Sequence, residues 1–453
     1  MRRIHWLPIL PLLLASSAGA DPWRITQALG LPSWLTLSVD HRIRYETLDD
    51  QFRVGLDGND DLLMLRTLVH ARVRVGAGLS FGAELEDSRV RLEDSSTSLG
   101  TGAVDAVELL QAHAQLDHEA FGGRGRLRIG RITMDVGSRR FVARNRFRNT
   151  LNAFTGVDWS WRGSGGRTAR AFYVLPVRRR PSARAAVRHD QIQLDEERFA
   201  VQFWGLHGSA GLPFGGGRDR IELFVFGLHE EAGARGTRNR DLYTPGLRIR
   251  RAPASGGLDY EIESAVQIGS ARSSRTGRDL DHLAQFHHLE AGYTFDGPGT
   301  PRVVLQYDYA SGDHRAFDDD DERFDTLFGA RRFDFGPTSS YGPFARANLS
   351  TPGLRVQLKP RSVVSSFVSV RGFWLASDRD AWTTAGVRDP TGRSGSFVGT
   401  QLEWRLRWDL RPGNVRLEMG LAHLFDGGFI RRAPNSNREG DSSYGYAQLS
   451  FRI

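Results

Sequence analysis

After its N-terminal stretch the chain repeats one unit about eighteen times: a run of about 8 to 12 residues alternating apolar with polar side chains, then a break. "QLEWRLRWDL", residues 401–410, shows it most clearly. Leu402, Trp404, Leu406, Trp408 and Leu410 fall on one face, and Gln401, Glu403, Arg405, Arg407 and Asp409 on the other. Successive strand side chains point to opposite sides, so such a strand is apolar on one surface and charged on the other. The breaks alternate too. Short turns containing glycine or proline (76–78, 122–125, 163–166, 214–217, 254–257, 296–301, 359–361 and 411–413) take turns with long polar segments near 47–63, 88–106, 135–154, 177–197, 229–245, 270–285, 311–350, 376–396 and 426–442. Nine long loops and the eight short turns between them define eighteen strands, with both chain ends on the short-turn side.

A soluble sandwich also alternates, but here most strands repeat the pattern while no separate core segments or helices stand out. Aromatic residues recur near strand ends, as at Trp34, Trp161, Trp374 and Tyr444. No stretch after Ala20 approaches the roughly 20 apolar residues of a membrane helix. The pattern predicts an all-β fold, a transmembrane antiparallel β-barrel of about eighteen strands in a bacterial outer membrane, with short periplasmic turns and long extracellular loops. A barrel must close, because an open sheet edge in lipid leaves backbone groups unpaired at several kcal/mol each. The mean hydropathy of −0.40 agrees, since only alternate residues meet lipid. "MRRIHWLPILPLLLASSAGA" reads as a secretory signal at 1–20, with a charged start, an apolar stretch and small residues at the end, leaving 21–453 as a single barrel domain. An exported chain without cysteine does not rely on disulfides.

Charge adds the chemistry. The formal net charge is +8, and without residues 1–20, which carry two arginines, it is +6. Nearly all of the basic residues are arginine, Lys359 being the only lysine. If apolar faces meet lipid, parity sends Arg42, Arg44 and Glu46 of the first strand inward, with Arg66, Arg72 and Arg74 of the second, then Arg126, Arg128, Arg355, Arg405 and Arg407. Arginine on the lipid face near the midplane would cost about 2 to 4 kcal/mol. "RIGRITMDVGSRRFVARNRFRN", residues 128–149, adds seven arginines against one acid, Asp135, and places Arg139 and Arg144 within, and Arg131 just before, a loop able to fold into the pore. A wall so lined is an anion path. Each arginine also has a structural reading, pairing across strands with Glu46, Glu84, Glu261, Glu263, Glu290, Asp308, Glu403 or Glu418 to hold the wall.

Several blocks resemble, in order and over nearly the whole mature chain, those of the alginate export family of outer-membrane proteins: "LSVDHRIRYE", "LRIGRITMDVGSRRFV", "YASGDHRAFDDDDERFDTLF", "LRVQLKP", "FWLASDRDAW", "GSFVGTQLEWRLRWDL" and "EMGLAHLFDGGFI". The resemblance implies an eighteen-stranded monomeric barrel whose arginine-lined pore conducts the polyuronate alginate or a related anionic solute. Family positions in the matched motifs include Arg42, Arg44 and Glu46, and Gly130, Arg131, Gly137 and Arg139. A general diffusion porin for small organic acids or sugars is the alternative reading of the same wall.

The remaining motifs carry less. The run Asp318, Asp319, Asp320, Asp321 is a candidate Ca²⁺ loop, since that ion prefers clustered carboxylates, although a solvated acidic loop has the same composition. His282, His287 and His288 read as ordinary polar positions rather than metal ligands. No G-x-S-x-G nucleophile motif occurs, so no enzyme activity and no cofactor are expected. The partners this reading implies are outer-membrane lipid and lipopolysaccharide, an anionic polysaccharide or small anion, and the barrel-assembly machinery. Nucleic acid is not among them.

Overall fold

Eighteen strands make up the wall in the computed structural model, which describes residues 21–453 except 57, 94–96, 214–216, 232–236, 273–276, 316–317 and 437–439. The expected leader, 1–20, and most of the expected turn at 214–217 lie outside the described residues. The strands are β1 Leu35–Asp49, β2 Asp60–Arg74, β3 Leu79–Arg91, β4 Asp105–Ala120, β5 Gly123–Ile132, β6 Phe154–Arg162, β7 Thr168–Pro176, β8 Val201–Gly211, β9 Asp219–Glu230, β10 Asp241–Arg251, β11 Gly257–Arg272, β12 Asp279–Thr294, β13 Arg302–Ala310, β14 Leu349–Arg361, β15 Val364–Trp374, β16 Phe397–Arg411, β17 Val415–Asp426 and β18 Ser442–Arg452. Each pairs antiparallel with its sequence neighbours, and β1 also pairs with β18, from Asp40 opposite Arg452 to Asp49 opposite Ser443. That last pairing closes the barrel and leaves no edge. A two-residue segment, Asp320–Asp321, lies parallel to β12 on the long-loop side.

The alternation dictates which face is which. On β1, Arg42, Arg44 and Glu46 are buried while Ile43 and Tyr45 are exposed. On β16, Gln401 and Glu403 are buried and Leu402 is exposed. Leu85, Leu116, Ile129, Val157, Leu206, Leu223, Ile262, Leu289, Leu305 and Leu421 continue the exposed apolar belt around the outside. Such a belt is unfavourable in water and favourable in lipid.

The inside is divided. Toward the long-loop rim the inward positions of several strands turn aromatic: Phe154 on β6, Phe172 on β7, Phe203 on β8, Phe224 and Phe226 on β9, Phe286 on β12 and Phe373 on β15 are all buried. They join one core cluster with loop residues Phe52, Met134, Phe141, Phe324, Phe335, Tyr341, Phe344, Trp382 and Phe429. The expectation that apolar residues mark only the outer face is corrected here, because β9 carries Leu223 and Val225 outward and Phe224 and Phe226 inward. Tyr444 is likewise no part of an outer aromatic belt. It turns inward and stacks on Tyr341 with ring centroids 5.1 Å apart.

Candidate functional site

Two long loops leave the rim and meet inside the barrel. Residues 133–153, between β5 and β6, are drawn in by a lattice of donors on the wall. Arg42 donates to the Arg146, Phe147 and Arg148 carbonyls, and Arg66 to those of Arg146, Arg148 and Asn149. Asn149, fully buried, donates to the Leu65, Arg89 and Ala103 carbonyls. Arg44 pairs with Glu46 at 2.6 Å and lies over the Phe147 ring at 4.4 Å. Residues 311–348, between β13 and β14, come from the opposite side and are joined to the first loop by a short backbone ladder. Phe328 N–H donates to the Phe141 carbonyl, Ala143 N–H to Phe328 and Ala330 N–H to Arg139. The approach is so close that a Cβ on Gly329 would stand 1.7 Å from the Arg140 carbonyl oxygen.

Ion pairs fix this crossbar to the wall. Arg140 reaches Glu263 of β11 at 2.6 Å, Asp334 of the second loop at 3.1 Å, and also Glu261. Arg346 pairs with the same Asp334. Burial alone would raise the Asp334 carboxyl, but Arg140 and Arg346 hold it far below the usual carboxylate range. Arg332 binds Glu403 of β16 at 2.6 Å, and Arg371 of β15, paired with Asp308 of β13 at 2.6 Å, donates to the Asp334 carbonyl at 2.8 Å. Removing one member of such a buried pair strands a charge and costs about 3 to 5 kcal/mol.

On the short-turn side of the crossbar the lumen opens into a basic vestibule. Its main cavity, about 540 Å³, is lined by Arg42, Arg66, Arg139, Arg146, Arg332, Arg355, Arg405, Arg407, Arg416 and Arg452, against Asp40, Asp135, Asp409 and Glu418. A second cavity of about 400 Å³, which shares Arg66 and Arg146 with the first, carries Arg144 and His70, and a separate one of about 410 Å³ carries Arg162, Arg220, Arg248 and Arg250. Arg407 pairs with Glu418, Arg416 with Asp409, Arg146 with Asp135 and Arg452 with Asp40. Among the described residues Arg42, Arg66, Arg139, Arg355 and Arg405 have no carboxylate within ion-pair distance. Arg42 and Arg66 spend their donors on backbone carbonyls. Arg139 lies over the Phe333 ring at 5.0 Å, and Arg355 and Arg405 flank the Phe367 ring at 4.8 and 4.5 Å. Stacking on a ring holds a guanidinium in place while leaving edge donors for another acceptor, and Arg355 gives one of its own to the Phe333 carbonyl at 3.1 Å.

Of the arginines expected in the pore, Arg42, Arg66, Arg139, Arg144, Arg355, Arg405 and Arg407 line these cavities, whereas Arg44 and Glu46 are sealed behind the inward loop. Arg128 pairs with Asp158 at 2.7 Å and Arg72 donates to Ser80, each holding neighbouring strands. Three depart from expectation. Arg74 is exposed at the short-turn rim, on the Ser33 carbonyl. Arg126 is exposed there too, paired with Asp117 at 2.7 Å. Arg131 shares the parity of Leu127 and Ile129, the outer face, and is gripped by Glu108 and Glu197 where β5 ends. The acidic run does not act as a unit either. Asp321 turns in to His282 while Asp319 pairs outside with Arg278. His282, His287 and His288 separate, meeting Gln267, Ser264 and Asp308. Sequence reasoning missed Arg140, Arg332 and Arg346. The first stood in the quoted arginine block, and the other two lie in a loop whose repeated aromatics, Phe324, Phe328, Phe333, Phe335, Tyr341 and Phe344, were the available sign that it is buried.

The family model described as alginate export matches residues 33–441. No curated protein matches the sequence. Among solved structures the chain is similar to OccAB1 of Acinetobacter baumannii, with 11% identity over 92% of this chain and 96% of that one and a TM-score of 0.62. It is also similar to OccK9 (OpdG) of Pseudomonas aeruginosa, with 12% identity, 92% and 98% coverage and a TM-score of 0.60. OpdK of the same organism, solved with vanillate, gives 11%, 92%, 98% and 0.59.

Proposed function

The chain belongs to the alginate export family and is an outer-membrane β-barrel channel, and on that premise we propose that it passively conducts an anionic polysaccharide of the polyuronate type through the arginine vestibule. The observation that carries this reading is the imbalance of the main cavity: ten arginines face four carboxylates, and Arg139, Arg355 and Arg405 are held by rings instead of acids. A cavity lined by one sign of charge concentrates the opposite ion, and a guanidinium matches a carboxylate with two parallel hydrogen bonds. A chain of carboxylates engages several such groups at once, which a single small acid does not. The vestibule opens on the short-turn, periplasmic side, where a polymer leaving the cell arrives, and the two-loop crossbar stands above it as the constriction such a polymer must pass. The barrel works as a monomer in contact with lipid and lipopolysaccharide, without catalysis.

The test is single-channel conductance in planar bilayers, with oligouronates and small carboxylates as competing blockers. Block by oligouronates is expected to strengthen steeply with chain length. Equal block by monomeric and oligomeric acids would favour a general porin for small organic acids.

A further inference from the structure

Away from the vestibule, three carboxylates meet at the long-loop rim. Asp105 and Glu108 open β4, and Asp195 belongs to the loop 177–200 that follows β7. One oxygen from each lies within 4.8 Å of the others. Asp105 and Glu108 are three residues apart, a spacing that puts strand side chains on opposite faces. Val107 has a left-handed backbone with φ 57°, the β3–β4 register shifts there, and both acids are buried. The local chain has been bent to bring them together.

The second observation is Asp105 itself. It is 1% exposed, and neither of its carboxylate oxygens has a hydrogen-bond partner. A buried ionised carboxylate without a partner is among the most costly arrangements a protein can hold. No arginine or histidine reaches Asp105 within ion-pair distance among the described residues. Arg131 divides itself between Glu108, Glu197 and the Leu109 carbonyl. Arg179 donates to the Thr101 carbonyl and the Asn152 side chain. Glu108 Oε2 accepts from the Asp195 N–H at 2.9 Å, and Asp195 Oδ1 from the Arg180 N–H at 2.6 Å, so backbone donors hold both acids facing Asp105.

We propose that Asp105, Glu108 and Asp195 form a divalent-cation site that takes Ca²⁺ and staples the loop 177–200 to the barrel wall. The donor set is all oxygen, which suits a hard cation, and oxygens bound on opposite sides of Ca²⁺ at about 2.4 Å stand at most about 4.8 Å apart. The staple has a structural purpose. β4 pairs with β5 only from Ala112 to Ala120, so β5 covers none of residues 105–111, and the Asp195 segment packs there instead. A cation joining the two sides secures this stretch of the rim at the millimolar Ca²⁺ typical of extracellular modules.

The experiment uses the full mature chain folded in detergent. Calcium binding is followed by calorimetry, and tryptic cleavage at the arginines of 177–200 is mapped by mass spectrometry, in EDTA, about 5 mM Mg²⁺ or about 5 mM Ca²⁺. The expected result is one Ca²⁺ per chain, cleavage slowed about tenfold by Ca²⁺ and less by Mg²⁺, and loss of both effects in Asp105→Asn, with heat-modifiable gel mobility showing that the barrel is intact. Asp195→Asn, in the loop and away from the wall, repeats the test if Asp105→Asn fails to fold. The proposal is overturned if Ca²⁺ binds but is lost in Asp318→Asn/Asp319→Asn rather than in Asp105→Asn. It is equally overturned if Ca²⁺ leaves cleavage unchanged while lowering the pH in EDTA protects the loop, since the three acids would then share a proton.

Discussion

Along β9 the inward side chains change from Arg220 and Glu222 to Phe224 and Phe226 within two steps, and the whole lumen changes with them. In the short-turn half, inward arginines border cavities of about 540 and 410 Å³ and several lack a carboxylate partner. In the long-loop half, inward aromatics pack against two loops, and arginines such as Arg140 and Arg346 are buried and tied to Asp334. The same residue type therefore does two jobs. Surrounded by acids and backbone carbonyls it is a structural pin, and beside an open cavity and an aromatic ring it is, in the function proposed above, the group that meets an anion. Which job an arginine has is decided by what its neighbours leave unsatisfied.

Substitutions in the two halves are expected to separate these jobs. The largest effect belongs to Asp334→Ala, which strands Arg346 and takes one of three carboxylates from Arg140. A loss of about 3 to 5 kcal/mol is expected, seen as a lower unfolding midpoint in detergent, together with a larger channel conductance as the crossbar loosens. Unchanged stability and conductance would mean the two loops are held by something other than this ion cluster. Phe141→Ala comes next. Its ring meets those of Phe224, Phe226, Phe286 and Phe324 at 5.3 to 6.1 Å. Its removal should cost about 3 kcal/mol while leaving ion selectivity intact. A selectivity change without a stability change would erase the distinction between the halves.

The wall itself supplies a middle-sized effect. Leu402→Arg puts a charge on the lipid face at about 2 to 4 kcal/mol and should impair insertion into vesicles. Arg405→Gln, on the opposite side of the same strand, should leave insertion at the wild-type level. Equal defects would show that the parity assigned to β16 is inverted.

How far the sequence could be read follows the same division. The alternation, the turn and loop order and the strand count were legible because most strands carry charge along one face, and parity on β1, β2 and β16 turned Arg42, Arg66 and Arg405 inward, where the structure has them. It failed where both faces are apolar, since a period of two cannot tell lumen from lipid when Leu223 and Phe224 are equally greasy. Arg131 was misplaced for a related reason: its charge suggested the lumen, but at the end of β5 it shares the parity of Ile129 and is held by Glu108 and Glu197. The meeting of Asp105 with Glu108 depends on one left-handed residue, Val107, which no propensity announces.

The smallest structural effect should come with the most specific functional one. Arg139, Arg355 and Arg405 changed together to Gln should cost about 1 kcal/mol or less apiece, because no ion pair is broken. The measurement that tests the account most directly is the reversal potential of the channel across a salt gradient, for the wild type and this triple variant. The wild type should prefer anions near 0.1 M salt, where the Debye length is about 10 Å, and lose most of that preference near 1 M, where it is about 3 Å. The triple variant should show a clearly weaker preference at low salt and weaker block by oligouronates, with folding unchanged. Cation preference in the wild type, or a triple variant indistinguishable from it, would contradict the claim that these arginines form an anion path.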